Sequence, residues 1–182
     1  MTVLSVPVGL VLALTAVPSW SSTLPALEAD GIGSVHFGMS KTKAVASLNS
    51  VFGKPTAEGI SRACGSRFTE VGWHDLIAEF REDTFSGYRF IEGGWPLLTS
   101  QSLHQVTAAK PLAPLLKTAL GITLGSTLGQ LRAAYGTLKP SGAVHWTASN
   151  GLNFIESSAV ANPRSPADKI VEIHIGTCGT DQ

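Results

Sequence analysis

Two stripes of apolar residues with helical spacing stand out along the chain. After Ser40, apolar positions recur at intervals of three and four as far as Phe52, which predicts a helix with one apolar face. A second, shorter stripe follows Thr127 and ends at Tyr135. Each stripe begins after a hydroxyl residue that can cap a helix, and each is followed by a glycine that can end one.

Alternating apolar and polar residues follow each predicted helix. In residues 76–81 and 171–175 every second side chain is apolar, which is the period of a half-buried β-strand. Residues 85–91 close the first half of the chain as residues 169–175 close the second. We therefore expect about three antiparallel strands after each helix.

The openings of the two helices share one pattern. Residues 35–40 and 122–127 both read apolar, polar, apolar, glycine, small or Met, hydroxyl. This predicts two tandem repeats, residues 22–100 and 119–182, with a connection at residues 101–118. The expected fold class is α+β, each repeat being a helix packed on an antiparallel β-sheet. The alternative is that the shared pattern reflects only the general requirements of helix capping.

The first 27 residues carry no charged side chain. The apolar run from Val3 to Val17 has the length of a signal-peptide core and is shorter than the roughly 20 residues of a membrane-spanning helix. We expect residues 1–21 to be a signal peptide, so that the protein is secreted or held in the cell envelope and its mature chain has no integral membrane span. An uncleaved N-terminal anchor and a buried core segment are the alternatives.

Export changes the interpretation of the two cysteines. Thiols tend to pair in an oxidising compartment, and Cys64 and Cys178 are the only two in the sequence. We therefore expect a Cys64–Cys178 disulfide, which in the chain-entropy model stabilises the fold by about 4–5 kcal/mol. Two buried free thiols are the alternative.

Charge balance and the spacing of glycine and histidine residues argue against several kinds of ligand. The 13 Lys and Arg residues balance 13 Asp and Glu residues, so the strongly basic surface of a nucleic-acid-binding protein is missing. No cofactor is expected, since the glycines at 31 and 33 lack the third glycine of a dinucleotide-binding motif. No metal site is expected, because the five histidines are not closely spaced along the chain.

One short motif is compatible with catalysis. Ser40 and Lys43 match the S-x-x-K pattern of acyl-enzyme-forming proteins, but neither of the companion motifs S-D-N and K-T-G occurs. Ser40 is therefore interpreted as a helix cap. A small exported hydrolase that uses Ser40 or a histidine remains the alternative to a protein without catalytic residues.

Aromatic residues are the candidates for contact with a partner. Tyr88, Trp95, Trp73 and Trp146 fall on predicted strands or hairpin ends, and aromatic side chains anchor many protein–protein interfaces. A place in the core is the competing interpretation for Trp73 and Trp146, whereas Trp95 lies in a glycine-rich loop. The sequence thus predicts a non-catalytic binding or inhibitory module that acts through a protein–protein contact.

The helix openings also carry a family resemblance. Residues 35–40, the helix that follows, its ending Phe52-Gly53-Lys54-Pro55, and the related segment 122–136 resemble the repeat of the β-lactamase inhibitor protein family and of small outer-membrane-assembly lipoproteins. The resemblance implies an exported, actinobacterial-type protein of two tandem repeats whose partner is a serine β-lactamase or another secreted or cell-envelope enzyme. The shared positions specify structure, so the resemblance assigns no functional residue.

Overall fold

The computed structural model describes residues 24–63, 65–92, 112, 116–157 and 165–176. The predicted signal peptide, residues 1–21, lies outside these ranges. Within them the helices are α1, Lys41–Phe52, and α2, Leu128–Tyr135. In the described part of the chain, neither helix is both long and apolar enough to cross a membrane.

Eleven strands accompany these helices in the described ranges. The first three are short and form a small antiparallel sheet, and the other eight form the main sheet. In chain order they are β1 Leu27–Glu28, β2 Gly31–Ile32, β3 Val35–His36, β4 Ala57–Ala63, β5 Ser66–Trp73, β6 Leu76–Arg81, β7 Thr84–Ile91, β8 Lys139–Pro140, β9 His145–Thr147, β10 Asn153–Glu156 and β11 Ile170–Ile175.

The main sheet consists of two antiparallel meanders that meet side by side. Its strand order is β4-β5-β6-β7-β11-β10-β9-β8. The last strands of the two meanders, β7 and β11, pair with each other, so that Phe90 lies opposite Ile173 and Tyr88 lies opposite Ile175. This β7–β11 junction makes one continuous sheet of two segments that are far apart in sequence.

The expected fold class is wrong. We expected two α+β repeats, each with a helix packed on its own sheet, whereas the described residues are mostly β, with one eight-stranded sheet, one three-stranded sheet and helices of 12 and 8 residues. The physical reason lies in the strand edges. Two separate sheets would leave the backbone N–H and C=O groups of β7 and β11 unpaired along one edge, and the junction satisfies them.

The two helix openings have the same backbone arrangement. The Gly38 N–H donates a hydrogen bond to the carbonyl of Phe85, and the Gly125 N–H donates one to the carbonyl of Ile170. Both glycines have a positive φ, 90° and 79°, which residues with a Cβ adopt only at a cost. The glycine in the shared sequence pattern therefore fixes each helix opening onto a strand of the main sheet.

The capping groups of the two helices differ. Thr127 accepts a hydrogen bond from the Gln130 backbone N–H, and the Gln130 side chain accepts one from the Thr127 N–H, which forms a capping box. Ser40 also occupies an N-cap position, but within the described residues its hydroxyl makes no capping hydrogen bond. Instead, the Lys41 N–H donates to the carbonyl of Asp83 in the β6–β7 turn.

The hydrophobic core lies between one face of the main sheet and the two helices with the small sheet. Leu48 of α1 and Leu131 of α2 are buried there, as are Phe90 and Ile173 at the junction. Full burial of a side chain of this size contributes about 1.5–3 kcal/mol. The core therefore covers one face of the main sheet, and the alternating side chains of each strand point to the opposite face.

The β6–β7 turn contains an unfavourable backbone conformation. Its two central residues, Glu82 and Asp83, both have a positive φ, 50° and 57°. Two-residue hairpin turns of this type favour Asn and Gly, because a Cβ is strained at positive φ. His74, in the β5–β6 turn, is the third described residue other than glycine with a positive φ.

Candidate functional site

The aromatic residues predicted to contact a partner lie in the core wherever the structure describes them. Tyr88 is fully buried and its hydroxyl donates a hydrogen bond to the carbonyl of Glu28, 2.8 Å away. Burial also raises the pKa of Tyr88 far above its usual value. Trp73 is 2% exposed, and its indole N–H donates to the Asn49 side chain on α1 and to the carbonyl of Gly53.

Trp146 is buried in the second meander. Its indole N–H donates to a carboxylate oxygen of Glu156, 3.0 Å away, and the guanidinium of Arg132 lies over its ring. Trp73 and Trp146 thus follow the core interpretation, and none of the three described aromatics presents a surface to a partner. Trp95 lies outside the described residues, as do both predicted disulfide partners, Cys64 and Cys178, so these predictions stay open.

The surface beside Ser40 does not gather a catalytic set. A pocket at the start of α1 is lined by Ser40, Lys41 and Asp83 together with helix residues, and no described histidine lines it. Lys41 pairs with Glu58, its ammonium nitrogen lying 2.6 Å from the carboxylate. Ser40 therefore has no histidine base beside it in this pocket.

Charged residues gather on the face of the main sheet opposite the core. Strand alternation places Arg89, between the core residues Tyr88 and Phe90, on this face, which we call the polar face. Residues that pair across neighbouring strands lie on the same face, and Glu70 lies opposite Glu79 while Arg89 lies opposite His174. We call the following residues the charged cluster: Glu70 on β5, Glu79 on β6, Arg89 on β7, and Glu172 and His174 on β11.

Arg89 connects the two carboxylates of the first meander. Its Nε lies 2.8 Å from Oε1 of Glu79, and one terminal nitrogen lies 2.9 Å from Oε1 of Glu70. The Glu70 side chain is only 3% exposed, whereas the side chains of Arg89 and Glu172 are 21% and 18% exposed. The charged cluster therefore begins in the interior and reaches the surface.

Two glycines make room for the Glu79 carboxylate. Gly87 and Gly176 lie against each other across the β7–β11 junction, and a Cβ added at Gly87 would be 2.8 Å from the Gly176 Cα and 3.0 Å from Oε2 of Glu79. A Cβ at Gly176 would be 3.2 Å from the same oxygen. Any larger residue at Gly87 would collide with backbone and push against Glu79.

Two buried polar atoms of the cluster have no hydrogen-bond partner among the described residues. They are Oε2 of Glu70 and Nδ1 of His174. The second atom lies 3.4 Å from a carboxylate oxygen of Glu172, without hydrogen-bond geometry. Buried polar atoms in folded proteins are nearly always paired, with protein groups or with water, so these two are exceptions that mark the cluster as unusual.

Burial also shifts the titration of the cluster. It raises the pKa of Glu79, opposed by the positive charge of Arg89 and reinforced by the nearby Glu70. Burial likewise raises the pKa of Glu172, again opposed by Arg89. It lowers the pKa of His174 to about 4, with further lowering by His145 and Arg89, so this imidazole is neutral at pH 7.

Sequence reasoning did not find the charged cluster. By alternation along the sequence, His36 and His174 are predicted to face solvent, and the position of Glu79, Glu82 and Asp83 at a strand end and hairpin turn predicts a solvated tip. The His36 side chain is 52% exposed, but that of His174 is only 14% exposed. A detectable signal is that charged residues occupy the middle of strands, where β6 and β7 otherwise alternate with large apolar residues.

The described residues do not include a group of three or more His, Cys, Asp or Glu side chains that could hold a metal ion. The cluster instead combines three carboxyl groups with one guanidinium, and Arg89 already engages two of the three. Its chemistry is that of a charged recognition site.

Fold and site together define a class of protein, namely a mostly β chain whose eight-stranded sheet carries a core on one face and a partly buried charged cluster on the other. Comparison of the chain with known protein families, with curated proteins and with solved structures finds no match. The resemblance to the β-lactamase inhibitor family therefore stays a prediction from the helix openings.

Proposed function

We propose that this protein is an exported, non-catalytic binding or inhibitory module that contacts a protein partner through the polar face of its main sheet. The observation that supports this most is the charged cluster, in which the buried carboxylate of Glu70 has one oxygen without a hydrogen-bond partner among the described residues. The partner we propose is a secreted or cell-envelope enzyme.

A partly buried charged cluster of this kind costs folding free energy. A buried donor or acceptor left unpaired destabilises a protein by about 1–3 kcal/mol, and more when it is charged. An apolar residue at the Glu70 position would avoid this cost, as Ile77 does on the same face with full burial. Groups that are retained at a cost to stability are frequent at functional sites.

The same geometry gives little support to the hydrolase alternative. Glu70 and Glu79 both bind the Arg89 guanidinium, and no hydrogen bond in the described part of the chain joins either carboxylate to a serine, threonine or cysteine nucleophile. His174 pairs loosely with Glu172 on the same strand, and no described serine or cysteine lies among the cluster residues. The pocket at Ser40 lies at the start of α1, on the core side of the sheet.

Site-specific photo-crosslinking tests the proposed surface. A photoreactive residue is placed at His145, an exposed position on the polar face, and separately at Ser50, an exposed position on α1 on the opposite side of the sheet. Each protein is expressed in the producing organism, and adducts from the envelope and the culture supernatant are identified by mass spectrometry.

We expect one exported protein to be captured from position 145 and not from position 50. Purified unlabelled protein should compete for this adduct, since specific binding is saturable. Capture from position 50 alone, or equal capture from both positions, would contradict a binding site on the polar face.

A further inference from the structure

We infer that the charged cluster is a receptor for one positively charged side chain, a lysine or arginine of the protein partner. This inference rests on the proposed function and names the chemistry that the polar face recognises. It follows from the excess of carboxyl groups over guanidinium groups in the cluster, and from the carboxylate oxygens that Arg89 does not bind. It also follows from the two glycines, Gly87 and Gly176, that form a floor beneath the Glu79 carboxylate.

The cluster contains more acidic groups than its own cation can pair. Three carboxyl groups, from β5, β6 and β11, face a single guanidinium from β7. Two histidines, His174 and His145, also interact with the cluster, and burial keeps His174 neutral at pH 7. Arg81 lies on the same face two residues after Glu79, and its Nε is buried without a hydrogen-bond partner among the described residues. A second cation would complete the pairing, because buried charges are stable only when they are paired.

The acceptor atoms have a defined arrangement. Arg89 uses only Oε1 of Glu70 and Oε1 of Glu79. Oε2 of Glu70 is buried without a described partner, so it contributes negative charge beneath the site rather than a contact atom. Oε2 of Glu79 lies against Gly87 and Gly176, neither of which contributes a side chain there. Glu172 is the most exposed carboxylate of the cluster and lies on the neighbouring strand, at the route from solvent.

The electrostatics favour the same ligand. Burial raises the pKa of Glu79 and of Glu172 because it destabilises their charged forms. A bound cation would stabilise those charged forms and lower both pKa values, so binding releases protons. Affinity for a cation should therefore rise with pH over the range in which Glu79 and Glu172 ionise in the free protein.

A matched pair of small probes tests the inference directly. L-arginine amide carries a guanidinium, and L-citrulline amide has nearly the same shape with a neutral urea group. Each is titrated into the full chain, and ¹³C NMR follows the side-chain carboxyl resonances of Glu70, Glu79 and Glu172. We expect saturable shifts at these carboxyls with the arginine compound, stronger binding at higher pH, and no comparable shift with the citrulline compound.

Three variants assign the binding to the cluster. Glu172→Gln should weaken the binding of L-arginine amide about tenfold through the loss of one charge-assisted hydrogen bond, and Glu70→Gln should weaken it through the loss of the buried negative charge. Glu58→Gln is the control, since Glu58 pairs with Lys41 on the core side of the sheet. Glu172→Gln keeps the comparison valid if Glu70→Gln fails to fold, because Glu172 is partly exposed.

Equal shifts with both compounds, no shift with either, or weakening by Glu58→Gln equal to that by Glu172→Gln would overturn the inference. Its failure is separable from failure of the proposed function. Capture of a partner from position 145 without selective binding of the guanidinium would retain the protein contact and remove the cation receptor. Selective binding of the guanidinium without capture of a partner would retain the cation receptor and remove the proposed protein contact.

Discussion

Gly87 is the position at which a single added methyl group tests the packing of the β7–β11 junction. In Gly87→Ala the new Cβ would lie 2.8 Å from both the Gly176 Cα and the Ile175 carbonyl oxygen, and 3.0 Å from Oε2 of Glu79. The two nearest atoms belong to the backbone at the end of β11 and directly after it, which cannot rotate away as a side chain can. The methyl group must therefore push β7 and β11 apart.

Overpacking of this kind costs about 1–3 kcal/mol. We place the effect of Gly87→Ala in the upper half of that range, because separating the strands also strains the backbone pairing at Tyr88–Ile175. For a chain of this size each kcal/mol corresponds to roughly 2–4 °C in Tm. The same displacement would move Glu79 away from Arg89, so the variant should also lose guanidinium binding.

Urea denaturation and thermal unfolding measure the change in stability, and Gly142→Ala is the matched control. A Cβ at Gly142 would have no atom closer than 3.6 Å, the distance of an ordinary contact, so we expect this control to be nearly as stable as the wild type. If Gly87→Ala and Gly142→Ala unfold at the same urea concentration, the junction is not packed as tightly as described and the argument from the glycine floor fails.

Three further predictions concern other parts of the structure. Glu82→Asn combined with Asp83→Gly should raise the free energy of unfolding by about 1 kcal/mol, because both positions have a positive φ; an unchanged urea midpoint would contradict this. Tyr88→Phe should lower it by about 1 kcal/mol through loss of the hydrogen bond to Glu28, and should leave crosslinking from position 145 unchanged. The folded state lowers the pKa of His174 to about 4, against 6.5 for an exposed histidine, so its contribution to stability is present above pH 6.5 and is lost as the pH falls toward 4. His174→Gln should therefore lose about 2–3 kcal/mol less stability than the wild type between pH 7 and pH 4, and equal losses would refute the burial of this imidazole.

Local elements were predictable from the sequence, because their signals are local. The spacing after Ser40 predicts a helix ending near Phe52, and α1 spans Lys41–Phe52 with Ala44 and Leu48 buried. The alternation at residues 76–81 matches β6. In contrast, we expected about three strands after each helix, and each meander has four.

The arrangement of the strands and the charged cluster were not predictable in this way. Glu70, Arg89 and Glu172 lie on β5, β7 and β11, and only the pairing of β7 with β11 brings them together. A pattern along one strand shows which residues alternate, but it does not show which strand edges meet. Tyr88 illustrates the same limit, since its hydroxyl is satisfied by the carbonyl of Glu28 in β1, far away in the sequence.

The β7–β11 junction also has a consequence for folding kinetics. Each meander is built from hairpins whose contacts are local in sequence, and contacts of this kind form within microseconds. The pairing of Phe90 with Ile173, however, closes a loop that includes α2 and most of the second meander. Closing such a loop costs chain entropy before any contact repays it, so the junction should form last and set the folding rate in the millisecond-to-second range of sheet proteins.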